Sequence, residues 1–166
     1  MNLQVAGFLD HSTVNGIGFR SVLFVSGCGH SCPGCHNQAM QDFDYGDQTS
    51  IDEIFKFILK NKPLIDGVTF SGGEPFEQCE ALSALAQLIK KQHLNVWCYS
   101  GYTYEELIKD PYKKMLLDKI DVLVDGPYIQ SLANSNLKYR GSSNQHIYEL
   151  KDGEIIRVLD DFVDSI

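Results

Sequence analysis

Long apolar runs are missing from this 166-residue chain. None approaches the roughly 20 consecutive residues that a membrane-spanning helix needs, so no membrane association is expected. The N-terminus lacks the basic and apolar regions of a signal peptide, and a cytoplasmic protein is expected. Positive charge is also scarce: 14 Lys and Arg stand against 22 Asp and Glu, for a net charge of -8. Neutralising a phosphate backbone takes clustered Lys and Arg, which are not found here, so nucleic acid is not an expected partner. The pairs Lys90-Lys91 and Lys113-Lys114 read as solvated helix faces. Repeats, low-complexity tracts and linkers are absent as well. One domain over residues 1–166 is expected, large enough to bury roughly 70% of its unfolded surface.

Cysteine is sparse but unevenly placed. Three of the five lie within the eight residues Cys28-Gly29-His30-Ser31-Cys32-Pro33-Gly34-Cys35. An odd number with three clustered does not suit a secreted disulfide framework; it suits metal ligation in a reducing compartment. Three ligands leave one position over, because structural zinc and ferredoxin-type clusters take four protein ligands. Cys79 falls in a helical pattern and Cys98 in a strand pattern, both far along the chain. Two readings follow. His30 or His36 completes a Cys3His zinc site in a binding module, or a four-iron cluster is held by three cysteines with its fourth iron open to a small molecule.

Hydrophobic periodicity places the cysteine loop. Val22-Leu23-Phe24-Val25 is a continuous apolar run, the signature of a strand covered on both faces in a parallel sheet. The loop leaves its C-terminal end, where α/β folds place their chemistry. Residues 2–9 suggest an earlier strand, followed by the turn Asn15-Gly16-Ile17-Gly18. Ser50-Ile51-Asp52-Glu53 reads as a capping box opening a helix to about Lys60. Strands are expected at Val68–Phe70, Val96–Tyr99 and Ile120–Val124. Helices are expected from about Glu77 to His93 and from Thr103, interrupted by Pro111, to Lys119. Asp152-Gly153 between two short runs signals a C-terminal β-hairpin, and the acidic tail Asp160–Asp164 reads as solvated. Alternating strands and helices mean a parallel α/β sheet. A complete eight-stranded barrel takes about 250 residues, so only part of one fits.

The cysteine spacing, C-x3-C-x2-C after a first strand, together with Ser71-Gly72-Gly73-Glu74-Pro75 after a later one, resembles the radical S-adenosylmethionine enzymes. Val14-Asn15-Gly16-Ile17-Gly18-Phe19-Arg20, Phe24–Cys28, Cys32–Asn37, Asp121–Gly126 and Arg140-Gly141-Ser142-Ser143-Asn144-Gln145 make it similar, over nearly the whole chain, to the activases of anaerobic ribonucleotide reductase. The resemblance implies a shortened, open partial (β/α) barrel with a C-terminal β-hairpin. It implies a [4Fe-4S] cluster on Cys28, Cys32 and Cys35, and S-adenosylmethionine bound near Gly34, Cys35, His36, Gly72, Gly73, Glu74 and Asp125. Within that reading, Glu74 offsets the methionine ammonium and the glycines allow close backbone approach. Gly34 stands where many radical enzymes carry an aromatic residue. Reductive cleavage would give a 5'-deoxyadenosyl radical that takes hydrogen from a glycine of the large reductase subunit, with flavodoxin or a similar low-potential protein as electron donor. An activase of another glycyl-radical enzyme, such as pyruvate formate-lyase, a small radical enzyme of deazapurine synthesis and the zinc-stabilised module remain the alternatives.

Overall fold

A computed structural model describes residues 1–35 and 37–165. Its eight strands are β1 (Asn2–Ser12), β2 (Arg20–Val25), β3 (Asp47–Ser50), β4 (Gly67–Gly72), β5 (Asn95–Tyr99), β6 (Val122–Asp125), β7 (His146–Lys151) and β8 (Glu154–Val158). They form one sheet in the order β3-β1-β2-β4-β5-β6-β7-β8. The central strands β2, β4, β5 and β6 run parallel. The flanking strands pair antiparallel, β3 and β1 at one side, β7 and β8 at the other. This is the expected mixed α/β class, with the hairpin built onto the last parallel strand.

Among the described residues five α-helices accompany the sheet: α1 (Ile51–Asn61), α2 (Cys79–Lys90), α3 (Tyr104–Lys109), α4 (Pro111–Leu117) and α5 (Asp160–Asp164). Thr103 and Glu106 cap α3 reciprocally, whereas Ser50 accepts from the Glu53 N–H alone. Pro111 opens α4 at its first turn, where a missing N–H costs nothing, under the Asp110 cap.

Strand alternation sends side chains to two cores. Leu23, Val25, Val68, Phe70, Val96, Cys98 and Leu123 face the helices and meet Ile54, Ile58, Leu82, Leu85, Ile89, Leu107, Leu116 and Leu117. Each fully buried aliphatic or aromatic side chain of this set contributes roughly 1.5–3 kcal/mol relative to exposure. The opposite face carries Trp97, Val122, Val124 and Ile147, closed by Leu159 and Val163 from the C-terminal segment. Every residue of β4 is buried, and its polar members Thr69 and Ser71 lie on the face opposite Val68 and Phe70.

One strand gave no sequence signal, and one expectation needs correction. The polar segment Asp47–Ser50 is a strand, held by antiparallel pairing with β1, so no apolar pattern announces it. The acidic tail is not simply solvated: it forms α5, buries Val163 completely and uses Asp160 and Asp164 to pair with Arg140.

Arg20 is buried at the start of β2. It donates from Nε to Thr69 Oγ1 at 2.7 Å, from Nη1 to the Ile17 carbonyl at 3.0 Å and from Nη2 to the Val68 carbonyl at 2.9 Å, with its guanidinium 5.4 Å from the Trp97 ring centre. Burial lowers its pKa to about 10. The Thr69 hydroxyl in turn donates to the Asn15 carbonyl. The Asn15–Gly18 turn is thereby fixed against the sheet face opposite the helices, close enough that a Cβ on Gly16 would lie 2.9 Å from both Arg20 and Trp97.

Candidate metal centre and adjoining cavity

The cysteine loop leaves β2 at Val25 and is pinned at its root. Gly27 and Cys28 donate their N–H groups to the carbonyls of Met40 and Gln41 at 2.8 and 3.0 Å, and the Gly27 carbonyl accepts from Glu74 N at 2.7 Å. The Cys35 N–H closes a turn onto the Cys32 carbonyl at 3.1 Å. All three thiols are free and partly exposed. Burial pushes the Cys28 thiol up, and its neighbours Glu74, Cys32 and Cys35 push the same way against a backbone N–H from His30. A bound cation would reverse that balance by favouring the thiolates.

Among the described residues, no three His, Cys, Asp or Glu side chains converge on one position suited to a single ion. His30, one of the two histidines considered for zinc, places Nε2 2.7 Å from Glu74 Oε1 and packs edge-on to Tyr102. His36, the other, lies outside the described residues. A cluster makes a different demand, since each thiolate binds its own iron. Three free thiols on one pinned, partly open loop fit that demand. Asn37 adds a backbone N–H 3.4 Å from Cys35 Sγ, a contact of the kind that tunes a ligating sulfur.

The glycine loop packs directly behind. Gly73 N donates to the Val25 carbonyl at 2.7 Å. Gly72 has φ +104°, and a Cβ there would lie 2.4 Å from the Val25 carbonyl oxygen; one on Gly73 would lie 2.6 Å from the Met40 oxygen. Both glycines are therefore required by the approach of the protein's own backbone. Glu74 is fully buried; its carboxylate receives His30, Ser100, Gly101 and Phe76.

At the C-terminal ends of the parallel strands lies a cavity of about 770 Å³, within the roughly 300–1,000 Å³ of small-molecule sites. Phe24, Ser71 and Tyr99 form its floor, Cys35 and Asn37 one wall, and Lys138–Gly141 with Gln145 the other. Cys35 thus faces the cavity, while Gly72, Gly73, Glu74 and Asp125 are not among its lining residues. Gly34 has φ +76°, and its side-chain position points toward Gln130. Asp125 is buried, accepting from Tyr104 N at 2.8 Å through Oδ2 and from His146 N at 3.2 Å through Oδ1; burial raises its pKa.

The Arg140–Gln145 segment builds the far wall through its own hydrogen bonds. Gln145 Oε1 accepts from Gly141 and Ser142, its Nε2 donates to the Gly126 carbonyl, and Asn144 Nδ2 donates to that of Pro127. Sequence reasoning missed His30 as a partner of Glu74, and with it Ser100 and Gly101. The available signal was a Ser-Gly pair at the exit of a strand: a Cβ on Gly101 would lie 2.6 Å from the His30 ring.

A family model described as a 4Fe-4S single cluster domain matches residues 14–148. The anaerobic ribonucleoside-triphosphate reductase-activating protein of Haemophilus influenzae is 37% identical over 145 residues, covering 83% of this chain and 92% of that protein. The protein of the same name from Vibrio cholerae is 40% identical over 143 residues, covering 81% and 90%, and that from Enterobacteria phage T4 is 33% identical over 146 residues, covering 84% and 90%. Among solved structures, QueE from Escherichia coli aligns with a TM-score of 0.51 at 15% identity, covering 62% of this chain and 54% of that one, a likeness of fold.

Proposed function

We infer the activity of this chain from its membership: it belongs to the family of anaerobic ribonucleoside-triphosphate reductase-activating proteins and carries a 4Fe-4S single cluster domain. It is a radical S-adenosylmethionine enzyme that activates anaerobic ribonucleotide reductase, the large subunit being its protein substrate. The observation that carries the reading beyond membership is the position of Cys35, on the pinned three-thiol loop and in the wall of a cavity sized for a cofactor.

Cys28, Cys32 and Cys35 would hold a [4Fe-4S] cluster. When bound, the cluster and S-adenosylmethionine supply reductive cleavage to a 5'-deoxyadenosyl radical, which takes hydrogen from a glycine of the reductase. The chain's own residues shape where this happens. Phe24 and Tyr99 present apolar and aromatic surface to the cavity floor, while Ser71 and Asn37 offer polar groups beside Cys35. Gly34, Cys35 and His36 are proposed to meet the adenine side of the ligand, and the Gly72-Gly73-Glu74 loop, through its backbone, its methionine end, with Asp125 at the neighbouring strand end. The four parallel strands support reading the sheet as a shortened, open (β/α) barrel, and the continuous sheet supports one domain over residues 1–166. Flavodoxin or another low-potential protein is the proposed electron donor. No helix among the described residues is long and apolar enough to cross a membrane, and the cytoplasm is the proposed location.

Anaerobic reconstitution with iron and sulfide, followed by dithionite and S-adenosylmethionine, tests the reading. The expected result is 5'-deoxyadenosine and a reduced-cluster EPR signal that changes on ligand addition, then a glycyl signal when the reductase is supplied. A colourless protein retaining stoichiometric zinc would overturn it.

A further inference from the structure

Glu74 connects three loops that are far apart in sequence. His30 Nε2 lies 2.7 Å from its Oε1, Gly101 N donates to the same oxygen at 2.7 Å, Phe76 N donates to Oε2 at 3.0 Å, and the Ser100 hydroxyl lies 3.0 Å from both oxygens. A carboxylate offers about four acceptor positions, and four groups donate here. The side chain has no exposed surface, and it is absent from the cavity lining. A ligand ammonium reaching it would have to displace one of these donors and be desolvated in the process.

His30 sits between Cys28 and Cys32, so the Glu74 contact acts in the middle of the cysteine loop. Its ring is held from three directions. Tyr102 packs edge-on with centroids 4.4 Å apart, Glu74 takes Nε2, and Gly101 leaves the space that a Cβ would fill. Tyr102 is itself fixed by donating to Glu77 at 2.5 Å and by Lys113 above its ring at 4.9 Å. Resting on the reading that Cys28, Cys32 and Cys35 hold the cluster, we propose that Glu74 is a positioning residue: through His30 it fixes the cysteine loop in the shape its thiols need, in place of pairing with the methionine ammonium. The Gly-Gly-Glu loop then serves the ligand through its neighbours and serves the cluster through its carboxylate.

The test compares the full chain with His30→Ala, Glu74→Gln and the double variant. One readout is hydrogen exchange of peptides spanning residues 28–35 in the metal-free protein. The second is the rate at which a chelator removes iron after reconstitution, and the third is S-adenosylmethionine affinity of the cluster-loaded fraction. Each single variant is expected to speed exchange and iron loss by about tenfold or more: His30→Ala loses one buried hydrogen bond, and Glu74→Gln sets an NH2 group against donors that the carboxylate accepts from. The double variant is expected to fall short of the sum of the two singles, because part of the Glu74→Gln effect is loss of the contact that His30→Ala already removes. Glu74→Gln that weakens S-adenosylmethionine binding by tenfold or more while exchange and iron loss match wild type would overturn the proposal. So would fully additive effects. If Glu74→Gln does not fold, His30→Ala alone decides, since unchanged loop exchange in that variant is equally fatal. Failure of the wild-type chain to take up iron would instead overturn the cluster reading, which the metal-free exchange measurement does not depend on.

Discussion

Asn37 ties the cysteine loop to the glycine loop: its Nδ2 donates to the Gly72 carbonyl at 3.1 Å. The same residue presents its backbone N–H to Cys35 Sγ. One side chain therefore couples the two motifs that the sequence shows 35 positions apart. Asn37→Ala removes the side-chain donor and leaves the backbone contact. The expected cost is about 1 kcal/mol of stability in the metal-free protein, read by urea unfolding. Iron should also be lost faster from the reconstituted variant; unchanged stability and unchanged iron retention together would show that the two loops are held without this contact.

Cys32→Ala removes one of the three proposed iron ligands from a partly exposed loop position. The loop root, held by Gly27, Cys28 and Glu74 backbone groups, does not involve this side chain. The variant is expected to fold with a melting temperature close to that of the metal-free wild type but to give no 5'-deoxyadenosine. Full cleavage activity would rule out the three-cysteine cluster.

The fold class and the thiol triad were legible in the sequence because each has a local signature. Val22–Val25 shows a strand covered on both faces, and Cys28, Cys32 and Cys35 need only their spacing. What was not legible depends on partners distant along the chain. Glu74 meets His30 across 44 positions and Ser100 across 26, so the likeness of motif alone could assign it to a ligand but could not show its acceptor positions filled. The strand β3 escaped because pairing of a polar segment leaves no apolar period to read. The tail misled for the converse reason. Its acidic residues dominate the pattern, while one valine and two charge pairs with Arg140 dock it.

Gly72→Ala tests whether the glycine loop is shaped by the protein itself. The new methyl group would sit 2.4 Å from the Val25 carbonyl oxygen and 2.5 Å from the Val25 nitrogen, at φ +104°. Both neighbours are strand backbone and cannot swing away as a side chain could. Destabilisation of about 3 kcal/mol is expected from the combined strain and clash, measured by denaturant unfolding of the metal-free protein. A loss below about 0.5 kcal/mol would mean that β2 and β4 separate easily here.

Asp125→Asn is nearly isosteric yet should not be neutral. Each carboxylate oxygen accepts a different backbone N–H, from Tyr104 and from His146. An amide supplies only one acceptor and sets an NH2 group against the second donor. Burial raises the Asp125 pKa, so the substitution also removes a charge that the site disfavours. The unmet donor is expected to outweigh that relief, leaving a net loss of about 1–3 kcal/mol. Increased stability at neutral pH would show that desolvation wins.

Arg140 and Asp164 supply the pH dependence. Arg140 Nη2 lies 2.5 Å from Asp164 Oδ1, and this contact holds the Asp164 pKa below the ordinary carboxylate range. A folded pKa below the unfolded one contributes stability that is fully present above the unfolded value and is lost as pH falls through the folded value. Asp164 is largely exposed, so water screens the pair and its worth is about 0.2–1 kcal/mol. Asp164→Asn should therefore lower the melting temperature of the metal-free protein slightly at neutral pH. The gap from wild type should stay constant down to the ordinary carboxylate range and close below it, and it should shrink in high salt. A gap that persists undiminished at the acid end would assign the effect of the substitution to packing of α5 against Ile147 and Leu159 and not to its charge.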